Sequence, residues 1–195
     1  MNIVILASGR GSNARALFEC EKNGMFEGAK IVGLISDIED APALDIAKEY
    51  GVKSLWLPTL RKGARFSEEA SANYQNTLKQ WGADLIVLAG FMKILPPDFV
   101  EAYSNKMINL HPSLLPDFKG KDAIKQAFDA GVKVCGCSVH FVNNELDGGE
   151  VIAQKKVDIL PEYTLEALEE KVHEAEHELL PSVVADIISG KIKIG

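Results

Sequence analysis

Short apolar runs alternate with amphipathic stretches through the first half of the chain. The β-branched run NIVIL at Asn2–Leu6 predicts a strand, and Ser12–Lys22 carries helical spacing that stops near Gly24. KIVGLIS at Lys30–Ser36 predicts the second strand. Residues 41–50 follow as a helix, with Pro42 in the first turn and Gly51 just past the end, the usual asymmetry of helix punctuation. A short strand at 53–57 leads into a loop of Pro, Gly and basic residues. Residues 67–81 predict a third helix, with Ser67 as N-cap and Gly82 closing its C-terminus.

DLIVLA at 84–89 is almost continuously apolar, as a strand covered by helices on both faces should be. KMINL at 106–110 is the fifth strand. Such strand–helix alternation implies a parallel sheet with right-handed crossovers. After the fifth strand the rhythm changes. A Pro-rich loop spans 112–120, a helix covers 121–130, and strands follow at 133–142 and 151–159. The loop NNELDGGE between those last strands is too short for a crossover helix, so they are expected to be antiparallel neighbours. A long amphipathic helix from Thr164 and a short KIKI segment close the chain. The pattern predicts one Rossmann-like α/β domain over residues 1–195. Its sheet is mostly parallel and twisted, with helices on both faces and an antiparallel C-terminal strand pair.

Composition narrows the partners. A chain of 195 residues is near the ~150 typical of one domain, and 47% hydrophobic with 25% charged residues is an ordinary globular mix. The balance of 21 Lys+Arg against 28 Asp+Glu gives a net charge of −7, and no basic face for nucleic acid stands out. Cys20, Cys135 and Cys137 are too few and too oddly spaced for a disulfide framework and read as free thiols. The opening MNIVILASGRG has neither a charged leader nor a long apolar stretch, and the longest apolar run, 85–92, falls short of the ~20 residues that span a bilayer. The expectation is a cytoplasmic protein without a membrane partner.

Three clusters could carry chemistry. Ser8-Gly9-Arg10-Gly11-Ser12-Asn13 lies between the first strand and its helix, where glycines admit close approach and unpaired N–H groups face an anion. A dinucleotide fingerprint would need Gly where Ala14 stands, although the acid Asp37 does follow the second strand. A phosphate monoester fits the turn better. In the second cluster, Asn109 and His111 sit two apart on one strand, so both side chains project from one face at its C-terminal end, an arrangement suited to a developing oxyanion. In the third, Glu145-Leu146-Asp147-Gly148-Gly149 supplies a loop carboxylate that gains meaning only if it meets His111, because a nearby carboxylate favours the imidazolium. His173-Glu174-Ala175-Glu176-His177 matches the zinc pattern H-E-x-x-H, but three fixed positions arise readily by chance in an acidic helix. His140, mid-strand in SVHFV, reads as structural.

Taken together, ILASGRGSN, LAGFMKIL, NLHPSLLP and SVHFVNNELDGG resemble the phosphoribosylglycinamide formyltransferases, a branch of the folate-dependent formyltransferase superfamily. The resemblance runs in order over nearly the whole chain. It implies transfer of a formyl group from formyl-tetrahydrofolate to the primary amine of glycinamide ribonucleotide in purine biosynthesis. It implies Asn109, His111 and Asp147 as the catalytic residues: Asn109 and protonated His111 stabilise the oxyanion, and Asp147 supports His111 and the proton relay. Gly11, Ser12 and Asn13 match the binder of the substrate phosphate, and Glu176 a contact to the ribose. Met92, Lys93, Ile94 and Leu95, with Asn109, match the segment bordering the folate. The family's basic folate contact falls on Ser67 when counted back from Asp84, and a small shift assigns it to Arg65. No metal is implied. The partners implied are two small molecules, with the protein a monomer or weak homodimer. At this length the chain is expected to carry neither the tRNA-binding domain nor the regulatory domain of its superfamily relatives.

Overall fold

Seven strands form one sheet in the order β3-β2-β1-β4-β5-β6-β7. They are β1 (Asn2–Leu6), β2 (Lys30–Ser36), β3 (Ser54–Trp56), β4 (Leu85–Leu88), β5 (Met107–His111), β6 (Val134–Phe141) and β7 (Val151–Asp158). The helices are α1 (Ser12–Lys22), α2 (Pro42–Glu49), α3 (Glu68–Gln80), α4 (Pro97–Ala102), α5 (Ala123–Asp129) and α6 (Leu165–Ile188). The computed structural model describes residues 1–61, 63 and 65–195, so positions 62 and 64 of the basic loop lie outside it.

The alternation of β1 explains the layers. Ile3 and Ile5 enter one core, shared with α1, α2, α5 and α6, and Val4 and Leu6 enter the other, shared with α3 and α4. Phe18 and Phe99, at most 1% exposed, anchor opposite faces. Burying each stabilises the fold by roughly 1.5–3 kcal/mol. Cys135 and Cys137 are free and pack inside the first core, where burial pushes their thiols up to about 11 and about 12.

Strands β3, β2, β1, β4 and β5 pair in parallel. The antiparallel part is one pairing larger than the expected hairpin, because β6 runs antiparallel to β5 as well as to β7. The direction in which successive strands are added reverses between β1 and β4, and ligands of open α/β sheets bind beyond the strand ends at such a switch point. Helix α4 is absent from the sequence expectation. Six residues are too few to repeat a helical period, and Pro96-Pro97 reads as loop although Pro at the first helical position is preorganised. Among the described residues, no helix is long and apolar enough to cross a membrane.

Candidate active site

The Pro-rich loop after β5 is stitched to the antiparallel strands, and that stitching fixes His111. Ser138 on β6 accepts a hydrogen bond from Leu115 N (3.0 Å) and donates to Ser113 O (2.6 Å). Gln154 on β7 donates to Ser138 Oγ (2.8 Å) and Leu115 O (2.9 Å). The loop so held presents Phe118 O to His111 Nε2 at 3.0 Å. A carbonyl only accepts, so Nε2 carries a proton and Nδ1 is the nitrogen left to face the cleft.

Asp147 meets that nitrogen. Its Oδ2 lies 3.5 Å from His111 Nδ1 and accepts from Gly120 N at 2.8 Å, while its Oδ1 lies 3.8 Å from His140 Nε2. The first and last of these are longer than a formed hydrogen bond, so the carboxylate sits between the two imidazoles without a formed bond to either. Asp147 adopts φ 48°, a left-handed conformation that Asp tolerates better than most side chains. All three side chains are buried, with 7%, 3% and 8% exposure for His111, His140 and Asp147.

His140, read from the sequence as structural, lies in this same cluster. In the β5–β6 register it stands opposite Asn109. An irregularity in the β6–β7 pairing falls between Val139 and His140, the kind of local kink that re-aims a side chain. His140 Nδ1 donates to Phe141 O (2.8 Å), so its Nε2 is free to accept from Asn109 Nδ2 at 3.1 Å. That bond turns the amide of Asn109 and leaves one of its two N–H groups unused. Burial lowers the pKa of His140, and this outweighs the opposing pull of Phe141 O and Asp147. The usable signal was period two in SVHF, but only with the antiparallel register in hand.

The β1 turn lies at the same end of the sheet. Gly11 has φ 76°, and a Cβ there would meet Ala43 Cα at 2.7 Å, so a left-handed glycine lets α1 start against α2. No side chain caps α1. The N–H groups at its start are therefore without intrahelical partners and free for an anion. One N–H of the Asn13 amide is already engaged within the protein. Its Nδ2 donates to Glu176 Oε2 at 3.0 Å, and its buried Oδ1 has no partner. Glu176, 4% exposed, also accepts from His173 Nδ1 at 2.9 Å. Glu176, a variable position within that H-E-x-x-H match, thus serves the β1 turn, and among the described residues no group of three or more His, Cys, Asp or Glu is placed to hold a metal.

The two histidines with opposite shifts make a direct check. The bond to Glu176 raises the pKa of His173, so the stability it contributes is complete below the ordinary imidazole range and is lost as pH rises through the raised value. His173→Gln is expected to lower the melting temperature at about pH 6, with the difference closing toward about pH 9. In an NMR titration His140 should stay neutral, with the proton on Nδ1, below the pH at which His173 has charged.

A cavity of about 110 Å³ opens beside Asn109 and His140, walled by Phe91, Ile94, Leu95 and Leu146. Lys93, Ile94 and Leu95 border it; Met92 does not, and is 67% exposed. Arg65 is exposed and forms a parallel bridge with Ile94, which brings it to the same segment. Ser67, the other position for the basic contact, is the N-cap of α3 and accepts from Ala70 N. A larger hollow of about 860 Å³ lies between α1, α2 and the start of β2 and holds none of the sequence-predicted residues.

Residues 1–184 match the family model described as formyl transferase. The chain is 37% identical over 195 residues to the phosphoribosylglycinamide formyltransferase of Escherichia coli (strain K12), covering 100% of this chain and 90% of that protein. It is also 37% identical over 193 residues to the trifunctional purine biosynthetic protein adenosine-3 of Bos taurus, covering 99% of this chain but 19% of that protein. The chain thus spans about a fifth of the length of that trifunctional relative. The crystal structure of phosphoribosylglycinamide formyltransferase from Anaplasma phagocytophilum superposes with a TM-score of 0.90 at 39% identity, covering 100% of this chain and 90% of that one.

Proposed function

The chain belongs to the formyl transferase family, and we propose that it transfers the formyl group of formyl-tetrahydrofolate to the primary amine of glycinamide ribonucleotide. The observation that carries this reading is the buried group Asn109, His111, Asp147 and His140, which lies beside a small apolar-walled cavity. The amine nitrogen attacks the formyl carbon, and the carbonyl π pair moves onto oxygen. The unused N–H of Asn109 and a proton on His111 Nδ1 donate to that oxygen, where charge appears only as the tetrahedral intermediate forms. Asp147 faces Nδ1 and holds that proton in place. The same carboxylate, through water, takes the proton of the attacking amine and returns it to the folate nitrogen as the C–N bond breaks.

We assign the two substrates to the residues around this group. The start of α1 takes the substrate phosphate on the N–H groups of Ser12 and Asn13, with Gly11 allowing the approach. Glu176 and the unpartnered Asn13 Oδ1 are acceptors beside it, suited to ribose hydroxyls. Leu95, Ile94 and Asn109 form the donor's wall, and Arg65 supplies a cation at the edge of that wall. Calorimetric titration tests the substrate side. Glycinamide ribonucleotide should bind about 100-fold more tightly than its dephosphorylated riboside, because charge-assisted hydrogen bonds are lost with the phosphate. Equal affinities would remove the phosphate assignment.

A further inference from the structure

Ser8, Asp37 and Lys93 are joined directly beneath the switch point, and the proposed reaction uses none of their side chains. Ser8 follows β1, Asp37 follows β2, and Lys93 follows β4. Asp37 is the acid that a dinucleotide site would turn toward a ribose, yet its side chain is 1% exposed. Ser8 Oγ donates to Asp37 Oδ1 at 2.6 Å and accepts from Met92 N at 2.8 Å. Ser8 N donates to Gly90 O at 3.1 Å. Among the described residues Asp37 Oδ2 is buried without a hydrogen bond, and Lys93 Nζ lies 3.4 Å from it while donating to Gly63 O at 2.8 Å.

A hydroxyl has one proton to give. Asp37 takes it, so a lone pair of Ser8 is left facing Met92 N. Without Asp37 the hydroxyl can rotate and the bond that holds the 90–95 backbone loses its direction. A carboxylate this deeply buried is costly unless a cation compensates it, and Lys93 is that cation. Lys93 also reaches Gly63, so one ammonium ties the donor wall to the loop before α3. Its ammonium joins this network, and the residue also borders the cavity.

We propose that Ser8, Asp37 and Lys93 are positioning residues that lock the 90–95 donor wall to the root of the turn at 9–13. They set the spacing between the two substrate sites without touching the reacting atoms. The lock itself is a property of the free protein; its effect on the donor rests on the function proposed above. The experiment therefore has two arms. In the ligand-free protein, Asp37→Ala should speed amide exchange at Met92 about tenfold, with protection of the β4 and β5 amides retained. In turnover, Asp37→Ala and Lys93→Met should each raise KM for the donor about tenfold with a smaller change in KM for the amine, and Lys93→Arg should restore the donor KM.

Unchanged exchange at Met92 would overturn the lock. Loss of protection across the whole sheet, with both KM values rising together, would reduce the three residues to ordinary stability and overturn it too. If the wild type transfers no formyl group, the function fails while the exchange arm still decides the lock.

Discussion

Asp147→Asn is expected to lower kcat for formyl transfer about 10³-fold while the protein stays folded. The substitution is chosen to remove charge and little else. Asn also tolerates the left-handed backbone found at Asp147, and its amide oxygen can still accept from Gly120 N. What it cannot do is accept a proton from the amine or set a negative charge against His111 Nδ1. His111→Ala removes the donor itself and should fall into the same range. The double variant should be little slower than either single variant, because residues that act as one unit are not additive. Single-turnover transfer with both substrates saturating checks this. A rate for Asp147→Asn within tenfold of wild type would remove Asp147 from the mechanism.

Gly149→Ala is expected to damage both stability and turnover. A Cβ at Gly149 would lie 1.7 Å from Phe141 O and 3.3 Å from His140 Nδ1. Phe141 O is the acceptor that fixes the His140 tautomer, so the clash falls on the group that orients Asn109. The closest atoms are backbone of Phe141, which has no flexible end to yield, so the Asp147 loop must move as a whole. A loss of about 1–3 kcal/mol in thermal or denaturant unfolding is expected from such overpacking. A fall in kcat of about 10²-fold, beyond what the lost stability explains, should accompany it. Wild-type behaviour in both would mean that the loop is free to take other positions without cost.

The strands and long helices were legible because their periodicities are local. The run at Asn2–Leu6 and the helix from Thr164 sit where the pattern puts them. Asn109, His111 and Asp147 were likewise legible as types and positions, and the fold brings them together. The parts that escaped depend on pairing between distant segments. The role of His140 follows from its register against β5 and from a kink in the β6–β7 pairing, neither of which a strand announces in its own residues. Ser138 and Gln154 gain their part only when the loop after His111 folds onto them. Asp37 followed β2 where a ribose acid belongs, yet the fold turned it inward to Ser8. Asn13 kept its place but spent its amide on Glu176, 163 residues away.

The central claim is a direct transfer between two small molecules at Asn109, His111 and Asp147. It is tested most directly by mixing wild-type protein with formyl-tetrahydrofolate and glycinamide ribonucleotide and following both products. Formylated ribonucleotide and free tetrahydrofolate are expected in equal amounts, with neither formed when either substrate is omitted. Release of tetrahydrofolate without the ribonucleotide, or no product with both substrates present, would contradict it.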